Sequence, residues 1–133
     1  MPRFATLPLS AAPVVPAPDG SDVRPLLSLP AGSLAHFTLP AGAVSLAVQH
    51  RTVSELWFVE SGEGEMWREQ DGAAETVPLR PGVSLSIPLG CRFQFRAGTA
   101  APLRAVAVTM PPWPGPDEAF PVPGPWAATV SPS

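Results

Sequence analysis

The sequence predicts an all-β fold, a sandwich, jelly roll or barrel of eight short strands. Three observations carry this. Twenty prolines and eleven glycines interrupt the 133 residues so closely that no window of a dozen residues sustains a helical apolar stripe. Between these breaks, short runs rich in Val, Leu, Phe, Trp and Thr recur with the two-residue alternation of a half-buried strand. The breaks themselves have turn chemistry.

The first run, 33–39, holds His36 and ends at the turn "PAG", and the second, 44–50, ends on His50. Runs at 55–60 and 64–69 flank "SGEG", and Asp71-Gly72 makes the best hairpin turn between 64–69 and 75–79. "RPG" separates 75–79 from 83–88, "PLG" precedes 92–97, and 103–110 closes the series. Eight strands of this length suit one closed domain, which we place at residues 31–112. Residues 1–30 read as a Pro/Ala-rich arm, ordered where it lies along the barrel or a partner. Residues 113–133 read as a proline-rich tail whose Trp113, Phe120 and Trp126 pack on the barrel, at its mouth or along a sheet edge.

Composition narrows the chemistry. A formal charge of -3 is too small to imply nucleic acid or an acidic membrane, and no apolar run approaches the roughly 18 residues of a spanning helix. The prolines of the first twenty residues also argue against a signal peptide. A lone cysteine, Cys91, forms no internal disulfide, so a cytoplasmic protein is expected. All eight basic residues are arginine, and the chain has no lysine, tyrosine or asparagine. Schiff-base chemistry is thereby excluded. Acid–base chemistry at neutral pH must rest on His36, His50, Cys91 or a carboxyl shifted by its surroundings.

One spacing is specific. Gly42 is followed after five residues by Val48, Gln49 and His50, after four more by Glu55, and after six more by Gly62. A second block runs Gly82, five residues, Pro88-Leu89-Gly90, two residues, Phe93, three residues, Ala97. Together these resemble the two motifs of the cupin superfamily. The resemblance implies a cupin-like antiparallel jelly-roll barrel (a double-stranded β-helix), a homodimer, and a ligand or metal site inside the wider mouth. It also implies a divalent metal held from positions 48, 50, 55 and 93, of which only His50 and Glu55 carry donors here.

Alternation sets the expected inner wall. His50 facing inward takes Val48 with it, and the following strands send in Glu55, Trp57, Val59, Phe93 and Phe95. Cys91, and His36 if its strand aims it inward, complete the candidate pocket. No cofactor is expected, because His50 and Glu55 fall short of the three protein ligands of a catalytic metal centre. The favoured reading is a cupin that binds a small organic ligand in an apolar cavity, with His50 and Glu55 orienting it or moving its proton in an isomerase, cyclase or lyase reaction. Two other readings stay open: a metal-dependent enzyme such as a dioxygenase, using His50, Glu55 and further ligands, and a non-catalytic dimeric module.

Overall fold

A computed structural model describes residues 2–130; the first residue of the predicted arm and residues 131–133 of the predicted tail lie outside the described residues. Among the described residues eleven strands are formed: β1 (Val15–Pro16), β2 (Asp22–Leu29), β3 (Gly32–Leu39), β4 (Val48–His50), β5 (Ser54–Ser61), β6 (Gly64–Gln70), β7 (Ala73–Leu79), β8 (Ser84–Ile87), β9 (Arg92–Ala97), β10 (Leu103–Met110) and β11 (Ala119–Pro121). They build two antiparallel sheets, in the orders β1-β2-β3-β10-β5-β8 and β11-β4-β9-β6-β7, as a jelly-roll barrel.

Seven of the eight expected strands form close to their expected bounds. The run 44–50 does not: only Val48–His50 is strand, and Val44 makes an isolated bridge to Arg96. The reason is a competing bond, since the Leu46 N–H donates to the Asp19 carbonyl rather than to a neighbouring strand. Between β6 and β7, Asp71 and Gly72 both take positive φ (52° and 79°), the conformation that a two-residue turn needs to match strand twist.

The segment expected as an arm supplies β1 and β2, and β2 pairs with β3 from Asp22↔Thr38 to Leu29↔Gly32. Pro25 hides this strand from a reading of the sequence. It sits beside the register shift between Pro25 and Ser28, where a residue without an N–H is tolerated. In the tail, β11 adds to the edge at β4, and Trp126 packs on Arg96 with the guanidinium 4.0 Å from the ring centre.

The interior is filled at one end only. Leu39, Val59, Leu79, Phe95 and Leu103 are fully buried there. Alternation assigns the rest: Trp57 and Val59 point in while Leu56 and Phe58 point out, and Met66 is buried while Trp67 is partly exposed. Ala107, paired with Trp57 on one side and Ala35 on the other, is small enough to leave the indole its space. At the other end the strands enclose an open cavity.

Candidate functional site

That cavity has a volume of about 500 Å³, within the size of small-molecule sites. It lies where β4 ends, β5 and β9 begin, β3 begins and β10 ends, so its walls are His50, Glu55, Phe93, Ser33 and Thr109 with Val48, Phe37 and Trp57. The N-terminal segment around Val15–Asp19 and the tail around Pro112–Pro116 complete the rim.

The loop Arg51–Val53 turns the chain from β4 in one sheet to β5 in the other, which brings His50 Nε2 to 3.5 Å from Glu55 Oε1. Glu118 fixes that loop from the tail. Its carboxylate accepts hydrogen bonds from Thr52 N, Thr52 Oγ1 and Val53 N, while its carbonyl accepts from Arg51 N. Burial pushes the Glu118 carboxyl up, but these bonds outweigh it and hold it below its usual range.

Glu55 is buried, and its Oε2 accepts the Trp57 indole N–H at 2.8 Å. Trp57 is itself clamped, stacked on Phe37 at 5.4 Å and edge-on to Phe95 at 4.9 Å. Burial raises the Glu55 pKa to about 8 against the opposing effect of the indole bond, and Asp19 adds to the rise. The carboxyl is therefore a neutral acid near pH 7. His50 packs edge-on against Phe93 and Trp113, at 5.2 and 5.4 Å, and burial lowers its pKa to about 4 despite the attraction of Glu118. Its Nδ1 is buried without a hydrogen-bond partner. A neutral acid thus lies beside a neutral base, with pKa values pushed apart by the same apolar walls, the pattern by which acid and base roles are assigned in enzyme sites.

Of the residues expected in the pocket, the structure brings together Val48, His50, Glu55, Trp57 and Phe93. Val59 and Phe95 share their faces but lie two residues deeper along β5 and β9, in the filled end. His36 points to the other side of its sheet, because Phe37 takes the inward place on β3; its Nε2 bonds Glu60 Oε2 at 2.8 Å in an outer groove also bordered by Arg24 and Arg104. Cys91 borders a separate groove beside Arg68, and burial raises its thiol pKa. Asp19, Ser33, Phe37 and Thr109 also line the cavity, outside the expected set, and Trp113 takes the place at the mouth that was one of the two expected for it. The alternation Ala35, Phe37, Leu39 was a usable signal for Phe37, and it would have turned His36 outward as well. Asp19 had none, lying in a proline-rich stretch without period.

The divalent metal implied by the motif does not fit these residues. Val48 and Phe93 stand at two of the four ligand positions, and among the described residues no three of His, Cys, Asp and Glu converge. One Glu55 oxygen is moreover already bonded to the Trp57 indole N–H.

Comparison with known proteins agrees with the architecture. Residues 35–109, more than half of the chain, match the family model described as Cupin domain. No curated protein matches by sequence. Among solved structures, a variant of Streptomyces PAC13 with uridine superposes with a TM-score of 0.72 at 13% identity, over 91% of this chain and 92% of that one. The same protein is described elsewhere as a nucleoside dehydratase. KdgF from a Halomonas species superposes at 0.70 with 17% identity, over 82% and 94% of the two chains. Staphylococcus aureus CapF, a capsular polysaccharide assembling protein, superposes at 0.67 with 14% identity over 81% of this chain and 34% of its own. At these identities the likeness is one of fold.

Proposed function

The chain belongs to the cupin domain family, and from that premise we propose that it binds a small organic molecule in the barrel cavity and moves one of its protons through His50 and Glu55, without a metal. The observation that carries this is a buried carboxyl and a buried imidazole 3.5 Å apart at the wall of a mostly apolar cavity, where burial pushes the carboxyl's pKa up and the imidazole's down. The reaction class is isomerisation, cyclisation or elimination, each of which needs a positioned acid and base.

In an elimination, His50 takes the proton from carbon as Glu55 protonates the departing hydroxyl, leaving an alkene and water. One transfer from the imidazolium to the carboxylate then restores both groups. Because the two groups are neighbours, proton removal and departure occur on the same face of the substrate. The dehydratase among the structural neighbours supports placing elimination first in this class.

The test compares wild type with His50→Ala and Glu55→Gln, each dialysed against a mild chelator, analysed for metals and screened with neutral and charged small molecules by thermal shift and product analysis. The expected result is ligand binding by metal-free wild type, with turnover about 10²–10⁴-fold lower in Glu55→Gln. A stoichiometric metal lost from His50→Ala would replace this reading with a metal-dependent one. Binding without turnover in any protein would leave a non-catalytic binding module.

A further inference from the structure

The cavity holds a third titratable side chain that the proton-transfer pair does not use. Asp19 sits on a turn closed by Ala17 N to Ser21 O and Gly20 N to Ala17 O bonds, and its carbonyl is tied to Leu46 N ahead of β4. The turn joins β1 to β2 within one sheet, and the Leu46 bond ties it to the segment that leads into β4 of the other sheet, at the cavity rim. Asp19 as a residue is 94% buried and lines the cavity.

Its hydrogen bonding is one-sided. Ser21 N donates to Oδ1 at 2.9 Å and Ser21 Oγ donates to the same Oδ1 at 2.6 Å. Oδ2 accepts nothing from the described residues. The side chain is thus fixed through one oxygen and leaves the other for a guest. On the same cavity wall, His50 Nδ1 is buried and has no partner among the described residues. Buried polar atoms are rarely left this way unless a ligand or water completes them.

The charge of the walls is also one-sided. The ionisable residues lining the cavity are Asp19, His50 and Glu55, and no arginine is among them. Arg24 and Arg104 lie in the outer groove beside His36, and Arg68 and Arg96 are paired with Glu75 and Glu65. An anionic ligand entering this cavity would lose its hydration against two carboxyls and find no cation. A ligand cation would instead favour the ionised form of Asp19 and gain a charge-assisted bond to its open oxygen.

We propose that Asp19 is a second anchor of the cavity, whose free Oδ2 receives the ammonium of a ligand bearing a basic amine. The inference rests on reading the cavity as a ligand site. It assigns Asp19 to substrate selection and leaves the acid–base roles with Glu55 and His50. The raised pKa of Asp19, caused by burial, is consistent with a carboxyl that awaits a cation.

The test is calorimetric binding of matched probes that differ in one group: phenethylamine, phenethyl alcohol and phenylpropionate, then tryptamine, tryptophol and indolepropionate. Wild type is expected to bind the amine of each set at least tenfold more tightly than the alcohol, and the carboxylate least. In Asp19→Asn, which keeps the side chain's shape, the amine should fall to the affinity of the alcohol, with alcohol binding unchanged. Asp22→Asn, on the exposed face of β2, should keep the full preference. Equal affinity for amine and alcohol in wild type, or a preference that survives Asp19→Asn, would overturn the amine anchor while leaving the binding cavity intact. No binding of any probe would overturn both. Should Asp19→Asn not fold, the preference within each wild-type set decides the matter.

Discussion

Trp57→Ala is expected to lower the unfolding free energy by about 3–5 kcal/mol, the range for removing a large buried aromatic. Against a typical total of roughly 5–15 kcal/mol this leaves the barrel close to unfolding at ordinary temperature. The size follows from what the indole does. It fills the space opposite Ala107, its faces and edges meet Phe37 and Phe95, and its N–H satisfies Glu55. Alanine leaves a cavity and strips a buried carboxyl of its donor. Trp57→Phe separates the two effects: it keeps most of the ring packing and loses the hydrogen bond, for a cost of about 1–3 kcal/mol. Urea unfolding of the three proteins measures both. A loss below about 1 kcal/mol in the alanine variant would mean that Trp57 does not organise the cavity wall.

Glu118→Ala is expected to cost about 2–4 kcal/mol, because it orphans the Thr52 and Val53 amides and the Thr52 hydroxyl together. This residue lies in the tail, some 65 positions from the loop it caps, so the effect would show that the tail is part of the barrel. The His50–Glu55 geometry depends on the same loop, and ligand binding should weaken along with stability. The pH dependence has a definite sign. The Glu118 carboxyl is held below its ordinary 4.5, so its contribution is complete above pH 4.5 and is lost as pH falls through the lowered value. Glu118→Gln should show little of this acid-side loss. Unfolding curves for both variants that match wild type would remove the strut.

The strands and inner wall were legible in the sequence because apolar runs are bounded by turns and the alternation on β5 is clean. Glu55, Trp57 and Val59 alternate with Leu56 and Phe58, and the turns between strands are marked by glycine. The residues that close the cavity were not legible. Asp19 and Glu118 lie in proline-rich segments whose structure is dictated by distant partners, Leu46 for the first and Thr52 and Val53 for the second; Trp113 was placed on the barrel by its size, but its contact with Ser33 was not. Periodicity carries no information about such contacts. β2 was hidden for a different reason, since Pro25 interrupts its pattern at the very place where its pairing shifts. His36 shows the limit of reading histidines singly. Its outward place follows from its neighbour Phe37, and its partner Glu60 is 24 residues away on β5.

The proton-transfer reading stands on Glu55 being a neutral acid, and the measurement that tests this most directly is the unfolding free energy of wild type and Glu55→Gln between pH 6.5 and pH 8. A carboxyl whose pKa is raised from 4.5 to about 8 on folding contributes its full stability below pH 4.5 and loses it as pH rises through 8. His50 acts in the opposite sense at lower pH: with its pKa reduced to about 4, its contribution is intact above 6.5 and fades only below that. The pKa of Asp19 is also raised by burial, so Glu55 is isolated by the difference between the two proteins over the window from 6.5 to 8, which removes what they share. Wild type should lose about 2 kcal/mol more than Glu55→Gln across that window, at 1.36 kcal/mol per pH unit. Equal losses would mean that Glu55 is already ionised at neutral pH, and the acid partner of the proposed chemistry would be gone.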